Sequence, residues 1–228
     1  MKKIAEFAVL LFITLSIMMV NLSWGKELLL TYSSVINNEE KYIYYTIMTN
    51  QNGEINFTVI NQNNKVETIS YSPEFSFEKQ TIYNSKGEPV LNVFSNHESN
   101  KIKLSGLYNV QYDMRPDLLN QNDSLGFQFS HYLPQRGKVF NFDLLLSMNN
   151  RIVGMYLKEV GQEVLNITGR KEDTLKYELG LNSALESVFW PYKYYYWYRL
   201  KDKLFVKYEG IEKNKNTNTI ILKKIEVL

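Results

Sequence analysis

Gln51-Asn52-Gly53-Glu54-Ile55-Asn56-Phe57-Thr58-Val59-Ile60 decides the fold. Ile55, Phe57 and Val59 alternate with Glu54, Asn56 and Thr58, a period of two that sends apolar groups to one face of a pleated strand and polar groups to the other. Asn52-Gly53 supplies the positive φ angles of a tight reversal, so Tyr42 to Thr49 should return antiparallel as Glu54 to Ile60. The same alternation appears where Ile102 and Leu104 interleave with Lys101 and Lys103. It appears again where Leu175, Tyr177, Leu179 and Leu181 interleave with Thr174, Lys176, Glu178 and Gly180.

Turn signals separate these runs: Asn61 to Asn64, Ser85 to Pro89, His97 to Asn100, Met148 to Asn150 and Leu200 to Lys203. Hairpins at such spacing make an antiparallel meander of about ten to twelve strands, more than a flat open sheet usually carries, so the sheet must curl, split or close. The expected fold is all-β, a single curled antiparallel sheet or half-open barrel with one or two short helices. The helix candidates are Pro116 to Asn120, with proline at a favourable first position, and Ser183 to Glu186, which has capping-box spacing. No internal repeat is visible, and the many asparagines form no motif.

Met1-Lys2-Lys3 followed by the uncharged run Phe7 to Val20 has the layout of a secretory signal. Cleavage is expected before Lys26, giving a signal peptide over 1–25 and one domain over 26–228; the alternative is an uncleaved anchor, the segment's only contact with a membrane. With no cysteine in the chain there is no lipid-modified cysteine, disulfide or thiol chemistry. Export to the periplasm or cell envelope is the expectation.

Removing Lys2, Lys3 and Glu6 from 26 basic and 24 acidic residues leaves 24 against 23, so no global field attracts nucleic acid. From Pro191 onward nine basic residues face four acidic ones. They read as lysines on a solvated strand face or, alternatively, as a patch for anionic headgroups.

Catalytic constellations are scarce. His97 and His131 are the only histidines, too few for a histidine-rich metal site. His97 lies in a turn, and Ser130-His131, if on a strand, would point to opposite faces. No phosphate-cradling glycine loop or dinucleotide fingerprint is present, and no cofactor is expected. Paired carboxylates remain the enzymatic alternative, with Asp143 and Glu163 as candidates, although strand acids usually form the wet face. A non-enzyme is expected.

The densest signal is Phe189-Trp190-Pro191-Tyr192-Lys193-Tyr194-Tyr195-Tyr196-Trp197-Tyr198-Arg199. As a strand it sends Trp190, Tyr192, Tyr194, Tyr196 and Tyr198 to one side and Lys193, Tyr195, Trp197 and Arg199 to the other. Such a strand is central, its rings packing the core on one side and snorkelling on the other. Alternatively the five-residue row lines a groove for an apolar ligand.

Leu133 to Phe142, Val160 to Val164, Lys176 to Leu179, Tyr196 to Arg199 and Val206 to Gly210 resemble a family of exported bacterial β proteins known as a domain of unknown function. That family is similar in shape to the periplasmic lipoprotein carriers, whose curled sheet forms a half-barrel with an apolar concave side. The resemblance implies a carrier or sensor of a lipid or acyl chain and brings no catalytic residues. The alternative is an envelope scaffold that binds a protein or glycan.

Overall fold

A computed structural model describes residues 27–61, 63, 65–182, 193–211 and 216–228. The signal segment, the Ser183 to Glu186 helix candidate, Trp190 and Tyr192 lie outside the described residues.

The first half of the chain is a meander of β1 (Glu27–Ile36), β2 (Glu39–Thr49), β3 (Ile55–Ile60), β4 (Val66–Tyr71), β5 (Phe77–Tyr83), β6 (Pro89–Asn96), β7 (Lys101–Gly106) and β8 (Val110–Asp113). The short β9 (Leu118–Asn120) and helix α1 (Leu125–Phe129) follow. The second half consists of β10 (Val139–Leu146), β11 (Arg151–Ile167), β12 (Arg170–Leu181), β13 (Tyr194–Arg199), β14 (Phe205–Ile211) and β15 (Thr217–Val227). All join one 15-stranded sheet that is not closed, with β1 hydrogen-bonded to β15 at its middle and β8 and β9 at its two edges. Every pairing is antiparallel except β9 with β10.

The predicted hairpin forms in register, Thr49 opposite Ile55 and Ile47 opposite Phe57. Gly53 carries the positive φ of 82°, which glycine adopts without steric cost. Asn50 shapes the rest of the turn, its side-chain oxygen accepting the backbone N–H groups of Asn52 and Glu54. Asn61 does the same for Asn63 and Lys65, and Asn84 for Lys86 and Glu88. Ser72 accepts the N–H of Ser76 at the corresponding place. Asparagines that form no motif in the sequence are therefore turn formers at a spacing of eleven or twelve residues, set by the hairpins rather than by sequence repetition. A further pair, Asn37-Asn38, takes φ of 54° and 65° and closes the β1–β2 hairpin.

The strand number exceeds the expected ten to twelve because short strands such as β8 and β9 are too brief to show alternation. Pro116 to Asn120 is not a helix: a turn at Pro116 and Asp117 leads into β9. Helix is overridden there by packing, since Leu118 joins one apolar cluster with Leu145 while Leu119 joins another with Leu144. Ser130-His131 lies at the end of α1 and not on a strand.

The sheet curls until its ends face one another. Ile82, Leu91, Val93, Ile102 and Leu104 of β5 to β7 pack with Leu118 and Leu145 of β9 and β10. Tyr112 donates its hydroxyl to the Asn150 side chain at 2.7 Å, and Tyr108 donates to the Met148 carbonyl at 3.0 Å. The larger core fills the concave side with residues of β1 to β4 and β10 to β15. Into it α1 inserts as a plug.

Candidate functional site

The plug is held by aromatic packing below and polar contacts above. Phe127 meets the rings of Tyr32, Tyr45, Phe57 and Phe205 at centroid separations of 5.2 to 6.2 Å, while Phe129 meets Phe142 and Tyr196. All five helix residues are buried. A helix this short owes its stability to such packing and not to propensity. Ser124 gives the helix no side-chain cap. Its hydroxyl is committed to Tyr71 at 2.9 Å and to Asn122 at 2.7 Å.

Strands β4 and β5 place Glu67 and Gln80 on the concave face beneath the segment that leads into the plug. Gln80 Nε2 donates to Glu67 Oε1 at 2.8 Å, and Asn120 Nδ2 donates to Gln80 Oε1 at 2.6 Å. Asp123 N–H donates to the same Glu67 Oε1 at 3.2 Å, and Tyr45 donates its hydroxyl to the Asp123 carbonyl at 3.0 Å. Glu67 is 5% exposed. Burial, and then the Asp123 carboxylate beside it, push the Glu67 pKa well up. Asp123 is also raised, by the crowding of protein around it, yet it keeps solvent contact at the surface. Glu67 Oε1 accepts both of those hydrogen bonds, and with both acids raised the pair resists full ionisation.

Two clefts of about 330 and 300 Å³ flank this segment and share Asn61, Gln121, Asn122 and Asp123 as lining. The first is two-sided. Its apolar wall includes Ile43, Tyr196, Phe205, Tyr208 and Ile220 from β2 and β13 to β15, and its polar side includes Asn61, Asn63, Gln121, Asp123 and Asn218. The second is lined by Lys65, Glu67, Gln80 and Ser147, among others.

The aromatic strand is central, as expected, between β12 and β14. Of the five-residue row, Tyr198 is fully buried and donates its hydroxyl to the Gly126 carbonyl of the plug at 2.8 Å. Tyr194 is half-buried and stacks on Tyr208. Tyr196 lines the first cleft at 8% exposure. Buried tyrosine hydroxyls normally find partners, as those of Tyr32, Tyr45, Tyr71, Tyr177 and Tyr198 do. The Tyr196 hydroxyl has none among the described residues, and burial pushes its pKa well above the ordinary tyrosine value.

On the opposite row Trp197 is covered as well. Trp197 is 1% exposed although it lies on the outer face. Lys176 and Lys207, its register partners on β12 and β14, place their ammonium groups 4.7 and 4.1 Å from its ring, and Glu163 accepts its indole N–H at 3.1 Å. Glu163 is thus part of this outer ladder, and Asp143 is paired with Arg115. The basic residues of the C-terminal part follow suit: Lys201 pairs with Glu172, Lys223 with Glu40 and Lys224 with Glu226. Ser130 donates its hydroxyl to the Phe127 carbonyl, and His131 stacks on Phe75 with centroids 3.7 Å apart.

Sequence reasoning missed Glu67, Gln80 and Asp123. A signal existed for Glu67, which shares strand parity with Ile69 and Tyr71, so a carboxyl stood on an apolar face. Asp123 lies in an aperiodic connection and carried no signal.

No family model matches the chain, and no curated protein does. Among solved structures it is similar to a beta-barrel-like protein of a domain of unknown function, DUF1849, from Brucella abortus, at 10% identity and a TM-score of 0.55, over 90% of this chain and 99% of that one. It is also similar to a putative outer membrane lipoprotein-sorting protein domain from Vibrio parahaemolyticus, at 8% identity and a TM-score of 0.33, over 94% of this chain and 91% of that one. A LolA superfamily protein from Nitrosomonas europaea matches at 7% identity and a TM-score of 0.28, over 93% and 91% of the two chains. The first likeness shows a shared fold, the curled β architecture of a protein of unknown function, in agreement with the resemblance read from the sequence.

Proposed function

We propose that this protein is an exported, non-catalytic carrier or sensor that binds the apolar chain of an amphiphile in the first cleft, between the plug and β13 to β15. The observation that carries the reading is Tyr196: its ring is built into the aromatic core, yet its hydroxyl has no partner among the described residues and the residue lines the cleft. The beds for Phe127 and Phe129 show how much apolar surface the concave side offers. Because α1 is seated on those beds, the ligand space is the cleft beside it.

Native mass spectrometry and lipid extraction of the protein purified from cell envelopes test this. Co-purified lipid, or saturable uptake of a twelve-carbon amphiphile that weakens in Tyr196→Ala, is the expected result. A protein that carries nothing and takes up no such amphiphile overturns the reading.

A second reading, an envelope scaffold, draws on the outer face of β2, where Tyr42, Tyr44 and Met48 are exposed at 46%, 41% and 50%. Crosslinking that captures a stoichiometric protein partner through this stripe, with an empty cleft, would favour it.

A further inference from the structure

We infer that the first cleft selects an uncharged, hydroxyl-bearing headgroup, of the glycosyl or glycerol kind, and discriminates against phosphate-bearing amphiphiles. This deepens the proposed function and rests on it. The polar side of the cleft is made of side-chain amides, those of Asn61, Asn63, Gln121, Asn122 and Asn218, with one carboxylate, Asp123. The amides of Asn122 and Asn218 are committed within the protein and Asn61 Oδ1 to its own turn, so the groups that offer donors and an acceptor together are those of Asn63 and Gln121, the pattern that matches hydroxyl groups, which also donate and accept.

An anionic head finds the opposite of what it needs. Phosphate recognition relies on arginine or lysine, and among the described residues neither lines this cleft. Lys65 lines only the neighbouring one. The one ionisable side chain that lines the cleft besides its tyrosines is the exposed Asp123 carboxyl, which can bring negative charge there and no positive charge.

The rim is also free to bind. The side-chain amides of Asn63 and Gln121 make no hydrogen bond among the described residues, and both residues are exposed. Asn61 donates to Asp123 Oδ2 at 3.3 Å, near the long limit for a hydrogen bond, so a ligand hydroxyl can replace that contact at little cost. On the facing wall the Tyr196 hydroxyl supplies another donor and acceptor. The tyrosine rings there suit either the first carbons of an alkyl chain or the apolar face of a sugar ring.

Binding of dodecyl maltoside and dodecyl phosphate, each below its micellar concentration, to the full protein decides the matter by calorimetry. The expected result is maltoside binding about tenfold or more tighter than phosphate. Asn63→Ala and Gln121→Ala should weaken maltoside about three- to tenfold while leaving phosphate binding and Tm unchanged, since each exposed amide contributes one hydrogen bond. Asp123→Asn should narrow the gap by strengthening phosphate. Equal binding of the two, or tighter phosphate, overturns the headgroup inference and leaves the apolar-chain reading standing. Failure of both to bind overturns the apolar-chain reading itself.

Discussion

Asp123 donates its backbone N–H to Glu67 Oε1 at 3.2 Å at the point where the chain leaves β9 for the plug, and this sets the two carboxyl groups side by side. Two acids placed so closely cannot both ionise cheaply, so the folded protein holds their protons to a higher pH than the unfolded chain does. A chain that bends back over its own sheet is thereby fastened by a contact that depends on pH.

The sign of that dependence follows from linkage. Glu67 is raised above its ordinary value of 4.5, so between that value and its folded value the native protein holds a proton that the unfolded chain has lost. Stability is therefore undiminished below about pH 4.5 and falls as pH rises toward the folded value, with a slope of at most about 1.4 kcal/mol per pH unit. The raised Asp123 adds in the same direction. Glu67→Gln keeps an acceptor for Gln80 and for the Asp123 N–H and has no proton to lose. Urea titrations from pH 4.5 to 8 should give the variant a flatter profile than the parent, with the variant the more stable at pH 8. A variant profile parallel to the parent's would mean that Glu67 is not the group titrating.

Trp197 tests whether the outer face carries stability. It is buried by the stems and ammonium groups of Lys176 and Lys207, with Glu163 on its indole N–H. Trp197→Ala should cost about 3 to 5 kcal/mol, as for a core ring, because the lysines cannot close over the void. Among the molecules that remain folded, amphiphile affinity should be unchanged.

How far the sequence revealed all this depended on periodicity. Alternation at Ile55, Phe57 and Val59, and again at Leu175, Tyr177 and Leu179, exposed the strands because each has one wet and one buried face. The central aromatic strand was legible for the same reason, but the lysine cover on Trp197 was not, since Lys176 and Lys207 reach it only through the strand register. The plug was not: Asp117 to Ser130 has neither period, and its helix depends on rings contributed by β1 to β3, β13 and β14. Nor could sequence separate Tyr196 from Tyr198. They share parity on one strand, and what distinguishes them is the chain that lies over each.

Gly126 shows how closely the plug is fitted. A Cβ built there would sit 3.0 Å from three atoms of the Phe205 ring, which is itself buried and stacked on Tyr32. Gly126→Ala should therefore destabilise by about 1 to 3 kcal/mol through overpacking, in spite of alanine's better helix propensity. If the strain is relieved by lifting the plug, the same variant will bind more of an environment-sensitive apolar dye than the parent. Unchanged stability would show that Phe205 has room to move and that the seat is loose.

Tyr196 and Tyr198 make the sharpest comparison, because Tyr→Phe removes only a hydroxyl from each. Tyr198 donates to the Gly126 carbonyl at 2.8 Å inside the core, and its loss leaves that carbonyl without this donor. A buried acceptor left unsatisfied costs about 1 to 3 kcal/mol, so Tyr198→Phe should lower Tm by several degrees. Tyr196 donates to nothing among the described residues. Tyr196→Phe should leave Tm within about a degree of the parent, since no hydrogen bond is lost, while dodecyl maltoside affinity falls about three- to tenfold with the loss of one ligand contact. The two substitutions thus divide one row of one strand into an anchor for the plug and a contact for the ligand. If Tyr196→Phe instead lowers Tm as much as Tyr198→Phe and leaves affinity alone, the hydroxyl serves the fold, and Tyr196 has no part in binding.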